Sequence, residues 1–93
     1  MSDKKTNFSV GDVFAISTGK YLGEFFVFIE SKNSIQYFLS LPKMITREIE
    51  TKNIQHAIDK GILEFQENLP HDIKSMCIEQ YKKNNDKTVR RRK

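Results

Sequence analysis

The sequence has few of the residues on which disulfide, metal or catalytic chemistry depends. Its single cysteine, Cys77, excludes a disulfide within the chain and fits a reducing compartment. Its two histidines, His56 and His71, do not lie at metal-ligand spacing from each other or from Cys77. We therefore expect no metal site and no cofactor.

Glycine-rich phosphate loops and activated carboxylates are also missing. None of the four glycines falls in a nucleotide-binding spacing. Glu48 and Glu50 share a predicted strand face, but no neighbouring sequence would desolvate them. These absences predict a protein that is not an enzyme.

Long apolar runs are absent as well. No stretch of eighteen apolar residues occurs, and the first ten residues, MSDKKTNFSV, are polar. We expect a cytoplasmic protein that neither enters a membrane nor is secreted.

What the chain does have is positive charge, and it is concentrated at one terminus. The formal net charge is +4. From Lys82 onward there are seven cations and one anion, whereas residues 1–81 hold nine cations and eleven anions. A mildly acidic body adds nothing overall to the field of such a terminus, so binding to a polyanion would need the terminus and a local patch.

The 93 residues, 38% of them apolar, suffice for one compact core. We predict a disordered lead over residues 1–7, a single domain over 8–85 and a basic tail over 86–93. Aromatic and β-branched runs predict four strands, with a bulge or bend at Gly23 in the second. These strands are Asp12–Ile16, Tyr21–Glu30, Ile35–Leu41 and Met44–Glu50.

The second predicted strand is apolar on both faces. Phe25, Val27 and Ile29 point towards a core, while Phe26 and Phe28 share the other face with acidic residues. That second face is either covered by a helix or open to a partner.

Helical patterns follow the four strands. Thr51 or Asn53 is predicted to cap a short helix that stops at Gly61, and Ile62 to Phe65 form a further strand or an extended connection. A second helix is predicted to start near Pro70 and end near Asn84 or Asn85. Its packed stripe is Ile73, Met76, Cys77 and Tyr81.

The order of these elements predicts an α+β fold. We expect a small bent antiparallel sheet, or an SH3-like partial barrel, of four or five strands. Two helices are expected to follow and to close one face or one end.

The stretch SVGDVFAISTGKYLGEFFVF, residues 9–28, resembles the opening of a family of small bacterial immunity proteins with a β-rich fold. The matching residues are Gly11 to Ile16 and Gly19 to Tyr21, and Ser17 stands where that family tends to carry proline. The resemblance implies a non-catalytic protein that blocks a toxin by binding it.

Two kinds of binding surface are open to such a fold. The first would bind RNA, with aromatic rings stacking on bases and cations contacting phosphates. Tyr37 equally suits core packing, and the tail equally suits a purely solubilising role. The candidate RNA contacts are Lys20, Tyr21, Tyr37, Lys43, Arg47, Lys52, Lys82, Lys83, Lys87, Arg90, Arg91, Arg92 and Lys93.

The second surface would bind protein through Phe26 and Phe28 or through an uncovered sheet edge. We therefore expect a non-catalytic RNA-binding protein, for example an accessory factor or a counter-defence inhibitor of an RNA-dependent enzyme or toxin. The alternative is an immunity-type inhibitor that holds a toxin or nuclease through protein contacts only. The sequence does not predict an oligomeric state.

Overall fold

The protein is described by a computed structural model that covers residues 8–90, with side chains through residue 84. It confirms the α+β class. Residues 1–7, expected to be disordered, and Arg91, Arg92 and Lys93 lie outside the described residues. The strands are β1 (Asp12–Ile16), β2 (Phe25–Lys32), β3 (Ile35–Leu41), β4 (Ile45–Glu50) and β5 (Leu63–Asn68), and the helices are α1 (Thr51–Asp59) and α2 (His71–Arg90).

The five strands form one open antiparallel sheet in the order β4-β3-β2-β1-β5. Helix α1 connects the two edge strands, and one cavity touches both Ile49 of β4 and Leu63 of β5. Laid flat, the outer strands of such a sheet would be about 19 Å apart. The sheet therefore bends around α1, as the sequence predicts, and forms a half-barrel.

The concave face of the half-barrel holds the aromatic core. Phe14, Phe26 and Phe38 pack there against Ile54 and Ile58 of α1. The ring centroids of Phe26 and Phe38 are 5.6 Å apart, and those of Phe14 and Phe38 are 6.2 Å apart. Such tilted and edge-on arrangements are favoured by the ring quadrupoles.

Helix α2 covers the opposite, convex face. Val27 and Leu39 pack there against Cys77 and Tyr81. The expectation that both helices close one face or one end is therefore wrong. Because alternate residues of β2 are apolar on both sides, each face of the sheet requires its own cover.

The second predicted strand begins later and ends later than the pattern indicates. Hydrogen bonds from Leu22 N to Gly19 O and from Glu24 N to Tyr21 O make the preceding segment a turn. Gly23, with φ of 95°, belongs to that turn, so it is not a bulge within a strand.

A bulge does occur in β2, further along the strand. The register with β3 shifts between Phe28 and Glu30. The extra residue turns Glu30 to the convex face, where its carboxylate accepts a 2.6 Å hydrogen bond from Tyr81 Oη. Strand alternation predicted that Glu30 and Phe28 share a face, and the bulge places them on opposite faces.

Helix α1 begins without a side-chain cap. Its N-cap residue is Glu50, and no side chain there accepts from the helix, so the predictions of Thr51 and Asn53 are wrong. The Thr51 hydroxyl instead donates to Ser34 O and accepts from Gln36 Nε2. Gly61, with φ of 78°, lies just beyond the helix end as predicted.

Helix α2 differs from its prediction in both its buried face and its end. Cys77 and Tyr81 are buried, but Ile73 and Met76 are exposed. The helix continues to Arg90 because neither proline nor glycine follows Asn84 within it. No helix among residues 8–90 is both long enough and apolar enough to cross a membrane.

Candidate nucleic-acid interface

Three connections meet at one end of the half-barrel. The β1–β2 loop carries Lys20 and Tyr21, and the β3–β4 hairpin carries Lys43. The turn after α1 carries Lys60 and is bonded to the start of the β1–β2 loop, because Ser17 donates from its backbone N to Ile62 O at 2.9 Å and from its Oγ to Gly61 O at 2.8 Å. We call this end the basic end.

The charges of the body are sorted between its two ends. Among residues 8–81 the basic end holds four cations and three anions, and the opposite end holds three cations and five anions, with Glu48 and Glu79 lying between the two ends. Lys82 and Lys83, at the start of the C-terminal segment, add two cations to the basic end. The separation follows from strand direction, because antiparallel neighbours bring alternate loops to the same end. The body residues at the basic end are Lys20, Lys43, Arg47, Lys60, Glu24, Asp59 and Glu64, and those at the opposite end are Lys32, Lys52, Lys74, Asp12, Glu30, Glu50, Glu67 and Asp72.

This sorting changes what the net charge implies. A body that is slightly acidic overall still carries a small excess of positive charge at one end, which Lys82 and Lys83 increase, and an excess of negative charge at the other. The expectation that the body adds nothing to the field of its C-terminal segment holds for the total charge, but not for this end.

Glu24 organises the polar part of the basic end. Ser40 Oγ donates to Glu24 Oε1 at 2.5 Å, and Arg47 Nη2 lies 3.3 Å from Glu24 Oε2. The hydrogen bond from Ser40 lowers the pKa of Glu24 below its ordinary value, and the positive charges of Arg47 and Lys43 act in the same direction. Glu24 is therefore held ionised.

The ring of Tyr21 lies close to two cationic side chains. The Arg47 guanidinium carbon lies 4.4 Å from the centroid of the Tyr21 ring, and Lys20 Nζ lies 5.4 Å from it. Since Glu24 partly neutralises Arg47, Lys20 and Lys43 remain the more available cations here. Arg47 Nε is buried and has no hydrogen-bond partner, so the guanidinium keeps an unused donor.

The C-terminal basic segment leaves the body at this same end. Asn84 Nδ2 donates to Met44 O at 3.1 Å and to Thr46 Oγ1 at 3.2 Å, which fixes α2 beside the hairpin that carries Lys43. The backbone of Lys87 and Arg90 lies in the next turns of α2. The side chains of residues 85–90 lie outside the described part of the chain.

The remaining predicted contacts lie elsewhere. Tyr37 is half-buried on the convex face, where its ring centroid is 6.3 Å from that of Tyr81, as core packing requires. Lys52 lies at the opposite end, 3.9 Å from Glu50. Phe26 and Phe28 are buried within the core on the concave face, so a partner cannot reach them in the folded protein.

The sequence reasoning missed three residues of this site: Glu24, Ser40 and Lys60. Ser40 is fully buried in β3, and its contact with Glu24 bridges sixteen positions of sequence. An acidic residue and a serine at ordinary strand positions carry no signal of such a pairing. Lys60 could have been found, since it stands at the predicted end of α1 and that end returns to the sheet.

A small cavity opens at the mouth of the half-barrel. Its volume is about 240 Å³, and it lies between the β1–β2 loop and α1. Its lining includes the buried side chains of Ile16, Phe26 and Ile54, together with Lys20 and Tyr21 of the β1–β2 loop. Barrel mouths are common places for ligands, although this volume admits only a fragment-sized group.

The groups that could support catalysis are dispersed. His56 and His71 are exposed on different helices, and Cys77 is buried under the sheet. Burial raises the pKa of the Cys77 thiol, which keeps it protonated and unreactive. Among the side chains that the structure describes, no three histidine, cysteine or acidic groups are close enough to hold a metal ion.

Comparison with protein-family models, curated proteins and solved structures finds no match to this chain.

Proposed function

We propose that the protein is a non-catalytic RNA-binding protein that contacts phosphates at the basic end. The observation that carries the proposal is the anchoring of α2 by Asn84 on Met44 and Thr46. It brings the start of the cationic C-terminal segment to the end of the body where Lys20 and Lys43 already lie. A polyanion can then contact the body and the segment together.

The physical basis is the release of counterions from the RNA backbone. Each phosphate that a cation neutralises contributes to affinity in a salt-dependent manner, largely without regard to sequence. Arginine also binds phosphate with two hydrogen bonds, which suits the run Arg90–Arg92. The protein would interfere with an RNA-dependent enzyme or toxin by occupying its RNA.

Deletion of residues 87–93 tests this function, because it removes five cations while leaving Asn84 in place. We expect the affinity for a single-stranded RNA to fall by orders of magnitude at low salt. The slope of log K against log salt should fall by up to about 3.5, at about 0.7 for each lost phosphate contact. Fluorescence anisotropy at salt concentrations from 50 to 300 mM measures both quantities.

Deletion of residues 1–7 is a control of equal length that removes a net charge of only +1. It should change the slope by less than one unit. Tight, salt-independent binding that survives the C-terminal deletion would contradict the proposal.

The alternative function is inhibition of a toxin or nuclease through protein contacts. It draws support from the exposed apolar side chains of Ile73 and Met76, which lie on α2 away from the basic end. Recovery of the tagged protein from cells, with and without ribonuclease treatment, separates the two functions. Partners lost after ribonuclease favour RNA binding, whereas a stoichiometric partner that is retained favours the alternative.

A further inference from the structure

Exposed apolar side chains accompany the cations of the basic end. Leu22 in the β1–β2 loop is 63% exposed, Phe25 at the start of β2 is 44% exposed, and Ile45 at the start of β4 is 38% exposed. These account for half of the large apolar side chains that the structure shows exposed. Binding of phosphates alone would not require these apolar side chains, because phosphates are contacted by charged and polar groups.

Phe25 is the aromatic member of this group, and the sheet fixes its position. It pairs with Leu41 across β2 and β3, immediately before the hairpin that carries Lys43. By strand alternation it shares the convex face with Val27, the face on which α2 reaches Met44. The sequence pattern placed Phe25 in the core, but α2 leaves its ring partly uncovered.

We propose that the basic end binds single-stranded RNA in preference to duplex, and that Phe25 stacks on an unpaired base. This inference rests on the proposed RNA-binding function and specifies its ligand. In a duplex the flat faces of the bases are covered by their neighbours, so an exposed ring gains nothing from them. In a single strand the same ring can stack on any base while neighbouring cations contact the phosphates.

The ring has a matched control elsewhere in the chain. Phe65 on edge strand β5 is 43% exposed and packs edge-on against Phe14, with the ring centroids 5.8 Å apart. It pairs with Phe14 of β1, and β1 and β2 separate its strand from the β3–β4 hairpin that carries Lys43. Phe25 and Phe65 thus have the same side chain and nearly the same exposure, but they lie on opposite faces of the sheet and on different sides of β1.

The test measures binding of full-length variants to a twelve-nucleotide oligouridylate and to a twelve-base-pair RNA duplex at 50 mM salt. Phe25→Ala should weaken binding to the single strand by about 5- to 150-fold, the usual effect of removing one stacking ring. Phe25→Leu, which keeps an apolar side chain without a π-face, should weaken it similarly, and Phe25→Tyr should restore it. Phe65→Ala should change it less than twofold.

The duplex measurements and salt slopes separate stacking from charge. Binding to duplex and the salt slope should be the same for Phe25→Leu as for the unaltered protein, because no cation is lost. Equal losses from Phe25→Leu and Phe65→Ala, or a preference for duplex, would overturn the inference while leaving RNA binding intact. No binding of the unaltered protein to either RNA would overturn the proposed function and this inference together.

Discussion

Glu24 shows how one side chain sets the chemistry around it. Its side chain is 13% exposed, and Ser40 and Arg47 surround it with donors. A carboxylate removed from water in this way is stable only while its partners hold it. The same pairing fixes Arg47 over the Tyr21 ring, so Glu24 shapes the basic end although it reduces its charge.

Replacement of Glu24 by glutamine should destabilise the protein in a pH-dependent manner. The folded protein holds the pKa of Glu24 below its ordinary value of 4.5, so the unfolded chain takes up the proton first as the pH falls. The stabilisation by ionised Glu24 is fully present well above pH 4.5. It is lost as the pH falls through the lower pKa that Glu24 has in the folded protein. We expect Glu24→Gln to cost about 1–2 kcal/mol at pH 7.

Thermal unfolding of both proteins between pH 7 and pH 3 checks this expectation. The difference in Tm should be largest near neutral pH and should shrink towards pH 3. A difference that grows on acidification would show that the carboxylate is not held ionised by its partners.

At the scale of elements, short-range patterns predict much and long-range pairings little. Alternation and turn residues predict β1 and β3 at their observed bounds, because those signals lie within the strand itself. The bulge near Glu30 and the face occupied by each helix depend on contacts across the chain, and no local pattern reports them. The Glu24–Ser40 contact was missed for the same reason, whereas Lys20 and Lys43 were found because turns are visible in sequence.

Helix α2 offers a direct test of which face it buries. The apolar spacing treats Met76 and Tyr81 alike, but in the structure Tyr81 is buried and bonded to Glu30 while Met76 is 61% exposed. Tyr81→Ala should cost about 3–5 kcal/mol, the usual loss for a buried aromatic side chain. Met76→Ala should change the free energy of unfolding by less than about 0.5 kcal/mol.

Equilibrium unfolding in urea measures both variants of α2. Similar losses for the two would mean that the helix is rotated relative to the sheet, as the sequence pattern suggested. The reverse order, with Met76 the costlier position, would contradict the observed packing outright.

At the scale of the whole molecule, the decisive property is the uneven distribution of charged side chains between its two ends. The composition shows a near-neutral body and a basic C-terminus, and it suggests that the two act separately. The fold joins them, because the sheet sorts the body's charges by end and Asn84 fixes α2 at the positive one. This arrangement, rather than the total of +4, is the basis of the proposed function.

The most direct test compares two pairs of lysines at opposite ends of the same body. Lys20→Gln/Lys43→Gln removes two charges from the basic end, and Lys32→Gln/Lys52→Gln removes two exposed charges from the other. The dependence of single-stranded RNA affinity on salt is measured for both. We predict that the slope of log K against log salt falls by about 1.4 for the first pair and does not change for the second. Equal changes in the two slopes, or a larger change for the second pair, would contradict a binding surface at the basic end.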